Sequence, residues 1–213
     1  MGIMKPSANV FSTEFLMECC EETVLPLNFS RTYWSPDSEC ELTFGWIIDR
    51  IEETLKIKGF DISMGKEPKA PLAGDLNIVC AHGGKNISES EWFYAGSDPI
   101  VDTDKIIGKG KLLILFVCHS GSITHKDYEH VMHTMIKRYI RMGYKSVIAP
   151  MWSLGTAVIP LWLPVFMERL TAGKYVIDAV YDANMEVKGK LFTPEAWACL
   201  HLFGNPYLRV EKN

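Results

Sequence analysis

Two short motifs that contain a histidine or a cysteine each follow a strongly apolar stretch of the sequence. Residues 76–80 lead into Ala81-His82-Gly83-Gly84, and residues 112–117 lead into Cys118-His119-Ser120-Gly121. A cysteine thiolate is a strong nucleophile, and a nearby imidazole lowers the thiol pKa and protonates a leaving amine. The two motifs together therefore indicate nucleophilic catalysis.

The apolar stretches before the motifs are typical of strands that are buried on both faces, as in a parallel sheet. Ligands bind beyond the carboxyl ends of such strands, where we expect His82 and Cys118 to lie. The two residues are 36 positions apart, which leaves room for one excursion and a return to a neighbouring strand. The N–H groups of Gly83 and Cys118 are then natural donors to an oxyanion, commonly worth about 3–4 kcal/mol.

Each motif also has a structural explanation. A cysteine at a strand end often packs as a small apolar side chain, and His-Gly-Gly often forms a turn. From these residues alone, catalysis and structure remain competing interpretations. His119 lies beside the nucleophile, but neighbours on a strand point to opposite faces, so His82 is the preferred base.

The rest of the sequence predicts alternating strands and helices. Helices are expected near Phe11 and over residues 45–58, 124–142, 160–172 and 174–185. Strands are expected over residues 24–29 (an edge strand), 92–94 (outside the main sheet), 145–150 and 196–203, with a turn at 33–37 and a helical turn within 102–107. This alternation implies an α/β fold with a largely parallel sheet that is covered on both faces.

Length and composition limit the possible classes of protein. The 213 residues favour a single domain, 1–213, in which residues 1–44 are expected to form an N-terminal extension packed on the rest. The net charge of −4 and the lack of a Lys/Arg tract argue against direct nucleic-acid binding, and no apolar stretch is long enough to span a membrane. Six scattered cysteines and the absence of a secretion signal favour a cytoplasmic protein without disulfides.

The order of these motifs resembles that of the caspase-like cysteine peptidases, and Cys118-His119-Ser120-Gly121 resembles the metacaspase nucleophile motif. Residues 142–152, 170–174 and 197–208 resemble the CHAT domain, a caspase-like family named for its association with TPR repeats. This resemblance covers about residues 74–210. It implies a caspase-like three-layer α/β/α sandwich in which His82 is the base and Cys118 the nucleophile of a peptidase.

The sequence departs from the metacaspase pattern two residues before the nucleophile. Metacaspases carry an acid there, which binds a basic P1 side chain, whereas this chain has Phe116. By strand alternation Phe116 shares the face of Cys118, so we predict an uncharged P1 residue, with a core role for Phe116 as the alternative. Met151, Trp152 and Ser153 follow the third strand and are predicted to line the substrate cleft; alternatively, Trp152 covers the core.

The resemblance implies a cysteine endopeptidase that cleaves a protein substrate. It further implies activation by a regulatory or sensor subunit and a role in bacterial defence or cell death. The alternative is a catalytically silent caspase-like module that binds proteins. No cofactor is expected, and the spacing of four histidines with Cys118 matches no structural zinc pattern: His119, His125, His130 and His133.

Overall fold

The computed structural model describes residues 6–8, 21–36, 42–85, 91–95, 98–100, 103–121 and 134–212. The strands are β1 (Thr23–Leu25), β2 (Arg31–Ser35), β3 (Asp61–Met64), β4 (Leu76–Cys80), β5 (His82–Lys85), β6 (Glu91–Ala95), β7 (Asp98–Ile100), β8 (Leu112–Phe116), β9 (Ser146–Pro150), β10 (Leu200–Gly204) and β11 (Leu208–Val210). The helices are α1 (Leu42–Ile57), α2 (Thr134–Arg141), α3 (Val158–Thr171), α4 (Val176–Lys190) and α5 (Pro194–Trp197). A 3-10 turn at Thr103–Lys105 precedes β8.

A six-stranded sheet, in the order β10-β9-β8-β4-β2-β3, forms the centre of the fold. The strands from β9 to β3 pair in parallel, and only the pairing of β10 with β9 is antiparallel. All five residues of β4, and all five of β8, are buried, as expected for apolar strands in the middle of a covered sheet. The predicted α/β fold with a mostly parallel sheet is therefore confirmed.

Helices cover both faces of this sheet. Helices α1, α3 and α4 contribute to the core on one face, where Ile48, Trp162 and Ala183 are fully buried. On the other face, Ile136 and Tyr139 of α2 pack with the second set of buried strand residues. The sheet and its two helical layers form an α/β/α sandwich.

The predicted turn at residues 33–37 is wrong, because strand β2 occupies residues 31–35 and lies between β4 and β3 in the main sheet. Tyr33 and Trp34 are completely buried there, and aromatic and β-branched residues favour a pleated, covered strand. Pro36 follows the strand and lacks the N–H that a longer ladder would need. The predicted edge strand is found as the shorter β1, which ends before Pro26 and pairs with β11.

The predicted strand at residues 196–203 is only partly correct. Its first residues belong to α5, because Pro194 suits the first turn of a helix, and β10 begins at Leu200. The helices predicted over 45–58, 160–172 and 174–185 are confirmed as α1, α3 and α4. The helix near Phe11, and residues 124–133 of another predicted helix, lie outside the described residues.

The excursion between β4 and β8 contains a separate antiparallel sheet in the order β5-β6-β7. The backbone of β6 includes the aromatic triplet at 92–94, so the prediction of a short strand outside the main sheet is confirmed. The 3-10 turn at Thr103–Lys105 corresponds to the predicted helical turn. Among the described residues, no helix is long and apolar enough to cross a membrane.

Candidate active site

The register of the two central strands brings the two motifs side by side. Strands β4 and β8 pair at an offset of 36 positions, from Leu76 with Leu112 to Cys80 with Phe116. The N–H of Ala81 donates to the carbonyl oxygen of Phe116 at 3.2 Å and extends this pairing by one residue. His82 and Cys118 each follow the last paired residues, Cys80 and Phe116, by two positions.

Gly83 lies directly against the backbone of the predicted nucleophile. A Cβ atom at this position would lie 2.4 Å from the carbonyl oxygen of Cys118, 2.6 Å from Val117 Cγ1 and 3.1 Å from the Cys118 nitrogen. Only a residue without a side chain fits this approach. His82, the preceding residue, is exposed and opens strand β5, so it begins the excursion and does not end β4.

Residues 118–121, which we name the nucleophile turn, leave the strand geometry altogether. Strand β8 ends at Phe116, the Ser120 N–H donates to the Val117 carbonyl oxygen at 3.2 Å, and His119 has a φ of 62°. Strand alternation therefore does not relate Phe116 to Cys118, and it does not send His119 away from Cys118. The two arguments made from the sequence, that Phe116 shares a face with Cys118 and that His119 points to the opposite face, therefore do not apply at this turn.

The nucleophile turn is bound to residues 151–155, which we name the cleft loop, and to the end of β9. Gly121 N–H donates to the Pro150 carbonyl oxygen at 2.9 Å, and His119 N–H donates to the Trp152 carbonyl oxygen at 3.2 Å. The Leu154 N–H donates to the Cys118 sulfur at 3.4 Å. Sequence reasoning missed it because a backbone N–H leaves no signature in the residue types.

Burial separates Cys118 from the two other cysteines in the described parts of the chain. Cys80 and Cys199 are buried, and burial raises the pKa of each thiol to about 12. A negative charge at Cys118 contributes further to the rise at both positions. Cys118 is only half-buried, so of these three thiols it is the one accessible to a reagent.

The residues predicted to bind substrate fall into two groups. Phe116 is 2% exposed, and its ring meets that of Trp162 edge-to-face at 6.0 Å, which favours the core role. Met151 and Trp152 are half-buried and Ser153 is exposed in the cleft loop, next to the residue that touches the Cys118 sulfur. Trp152 Nε1 donates to the Glu195 carbonyl oxygen at 2.8 Å, which links the cleft loop to α5.

Two further histidines belong to this part of the structure. His119 Nε2 lies 3.1 Å from Ser153 Oγ, and the His201 ring packs edge-to-face on Trp152 at 5.9 Å. Burial lowers the pKa of His201, whose Nε2 lies 2.8 Å from the Ala198 carbonyl oxygen. In the described ranges, no group of three or more His, Cys, Asp or Glu side chains is arranged to hold a metal. His125, His130 and His133 fall outside those ranges.

Comparison with solved structures identifies the class of fold. Two structures of the Saccharomyces cerevisiae separase–securin complex match 93% and 92% of this chain, with TM-scores of 0.62 and 0.59. Sequence identity over these matches is 13% and 15%, and they span 14% and 13% of the chains they match. Neither family profiles nor curated protein sequences give a match to this chain. The chain therefore has the α/β fold of the caspase-like proteins to which separase belongs.

Proposed function

We propose that this chain is a caspase-like cysteine endopeptidase of the CHAT type, with Cys118 as nucleophile and His82 as base. The observation that carries the proposal is the contact of the Gly83 backbone with that of Cys118, at the continuation of the β4–β8 register. This contact supports the proposal that the histidine and the cysteine lie on adjacent chain segments, beyond the carboxyl ends of neighbouring strands, where α/β sheets bind ligands.

In the proposed reaction, His82 removes the thiol proton and the Cys118 sulfur attacks the carbonyl carbon of the scissile peptide bond. The N–H groups of Gly83 and Cys118 donate to the oxyanion, and His82 returns the proton to the leaving amine. Water then hydrolyses the thioester and releases the free cysteine. The Leu154 N–H, which donates to the sulfur, holds the Cys118 side chain in place for the attack.

The cleft loop supplies the proposed contacts to substrate. Met151, Trp152 and Ser153 are proposed to line the cleft beside the sulfur. Position 116 lacks the acid that metacaspases carry, so the chain has no carboxylate there to bind a basic P1 residue. Separase was crystallised with a protein partner, securin, and a regulatory or sensor subunit is proposed to control this chain as well. A single peptidase domain, a cytoplasmic location and a role in bacterial defence or cell death complete the proposal.

Labelling with a peptide that carries a thiol-reactive electrophile tests the chemistry. We expect modification at Cys118, identified by peptide mapping, and a large loss of rate in His82→Ala. Cys80 and Cys199 serve as internal controls, because their raised pKa values keep them protonated at neutral pH. Cys118→Ala controls for the remaining cysteines, and circular dichroism checks that each variant is folded.

Mapping of cleavage sites in a proteome, with the wild type against Cys118→Ala and in the presence of neighbouring gene products, tests the substrate. Cleavage that depends on Cys118 supports the endopeptidase. Equal labelling of all cysteines, with no cleavage under any candidate activator, would favour the catalytically silent binding module instead.

A further inference from the structure

The nucleophile turn contains a histidine that the proposed mechanism does not use. His119 has a φ of 62°, a left-handed backbone conformation that is uncommon for residues other than glycine, although histidine adopts it more often than most. Such conformations persist where the surrounding structure holds them, and they concentrate at functional sites. The question is what the imidazole does at a position where glycine would be less strained.

The His119 ring reaches across to the cleft loop. Its Nε2 lies 3.1 Å from Ser153 Oγ, which is hydrogen-bonding distance, while its own backbone N–H donates to the Trp152 carbonyl oxygen at 3.2 Å. The following residue of the loop, Leu154, is the one whose N–H donates to the Cys118 sulfur. His119 therefore contacts Trp152 through its backbone and Ser153 through its ring, and these are the two residues that precede Leu154 in the loop.

The donor peptide has a second sulfur contact on its other side. The Cys199 thiol donates to the Ser153 carbonyl oxygen at 3.7 Å, and this carbonyl belongs to the same peptide unit as the Leu154 N–H. The orientation of that peptide therefore decides whether the N–H faces the nucleophile. Leu154 packs against the core, whereas Ser153 is exposed, so the Ser153 side of this peptide depends on polar contacts to hold its orientation.

We propose that His119 is a positioning residue, whose imidazole holds Ser153 so that the Leu154 N–H stays directed at the Cys118 sulfur. The inference rests on the proposed role of Cys118 as nucleophile. It also gives Ser153 a role in support of the nucleophile, in addition to its place in the cleft. His119 acts through the loop and transfers no proton.

The test separates positioning from simple stability. In His119→Gly, the left-handed backbone becomes relaxed while the ring contact is lost. We expect unfolding by urea to require at least as much denaturant as in the wild type, but the rate of Cys118 alkylation by iodoacetamide at neutral pH to fall about three- to tenfold, the effect of losing one ordinary hydrogen bond.

Matched variants locate the effect in the His119–Ser153 contact. Ser153→Ala is expected to slow the alkylation of Cys118 to the same extent as His119→Gly. The double variant, with both substitutions, is expected to be no slower than either single variant. Ser153→Thr keeps the hydroxyl and is expected to react at the wild-type rate. Ser63→Ala on the edge strand β3 controls for loss of a hydroxyl elsewhere. Additive losses in the double variant, or a loss of rate that follows a loss of stability, would overturn the inference.

The two proposals fail in different ways. An unchanged rate of Cys118 alkylation in His119→Gly, with peptide labelling that still depends on His82, overturns the positioning role and leaves the peptidase intact. A reduced rate of alkylation, with no selective labelling by the peptide electrophile, overturns the peptidase and supports the contact between His119 and the cleft loop.

Discussion

The tightest contact at the candidate site predicts that Gly83→Ala damages activity more than stability. The new Cβ would lie 2.4 Å from the Cys118 carbonyl oxygen, so the two chain segments must separate by about 1 Å to reach ordinary van der Waals distance. The obstructing atom belongs to the backbone and cannot rotate away. Insertion of a methyl group into a packed site costs about 1–3 kcal/mol.

The separation moves the segment that carries His82. A displacement of about 1 Å between catalytic groups can cost about 100-fold in rate. We therefore expect Gly83→Ala to lower the rate of peptide-electrophile labelling at Cys118 by about that factor. The free energy of unfolding, measured with urea, is expected to fall by only 1–3 kcal/mol, in line with the packing cost of about that size.

Two other glycines provide controls for the same chemical change. In Gly155→Ala, in the cleft loop, the nearest contact of the new Cβ is 3.8 Å from Val158, which is ordinary, so labelling is expected to remain near the wild-type rate. In Gly189→Ala, in the last turn of α4, the new Cβ would meet no atom within 4 Å apart from its chain neighbours and the nearby backbone of its own helix, and stability is expected to rise by about 0.5–1 kcal/mol. Wild-type labelling and stability in Gly83→Ala would refute the close approach of the two segments.

Three further predictions concern the scaffold. Asn77→Ala is expected to lower the free energy of unfolding by about 2–4 kcal/mol in urea titrations, because the buried amide accepts from the Gly74 N–H and donates to the Tyr144 hydroxyl. Phe116→Leu is expected to cost about 1–3 kcal/mol by the same measurement without changing P1 preference, since Phe116 packs on Trp162; a changed preference would assign it to the cleft. The free energy of unfolding should fall as pH rises above about 8.5. In the folded protein, burial raises the pKa of Cys80 to about 12, so its thiol stays protonated, whereas the same thiol in the unfolded chain loses its proton from about pH 8.5. A smaller slope of the urea midpoint against pH in Cys80→Ala checks this origin.

The main sheet was predictable where apolar stretches are long and flanked by glycine or polar residues. Strands β4, β8 and β9 were placed correctly because each is a nearly continuous apolar run. Strand β2 was missed because its sequence, with Arg31 and Thr32 before two aromatic residues and Pro36 after, also suits a turn. Its burial depends on parallel pairing with both β3 and β4, which are distant in sequence.

The sequence indicated which residues to consider for a candidate site, but not the local geometry around Cys118. The equal spacing of the two motifs from their strands indicated that His82 and Cys118 would meet at one edge of the sheet. The direction of His119 depends on a backbone angle that the sequence does not encode as a pattern. The Leu154 donor depends on how a loop after β9 folds back over the nucleophile turn.

The pairing of the two buried strands determines which residues meet at the candidate site. The pairing ends with Cys80 beside Phe116, and the chain that follows brings Gly83 against the backbone of Cys118; a slip of one residue in the pairing would bring different residues together at this edge. Ile78 and Ile114 are paired and fully buried in the middle of these strands, and a slip would turn their side chains toward the opposite face. The same packing keeps Cys80 inside the sheet while Cys118 lies beyond the end of its strand. The difference between an inert and an accessible thiol therefore follows from where each strand ends.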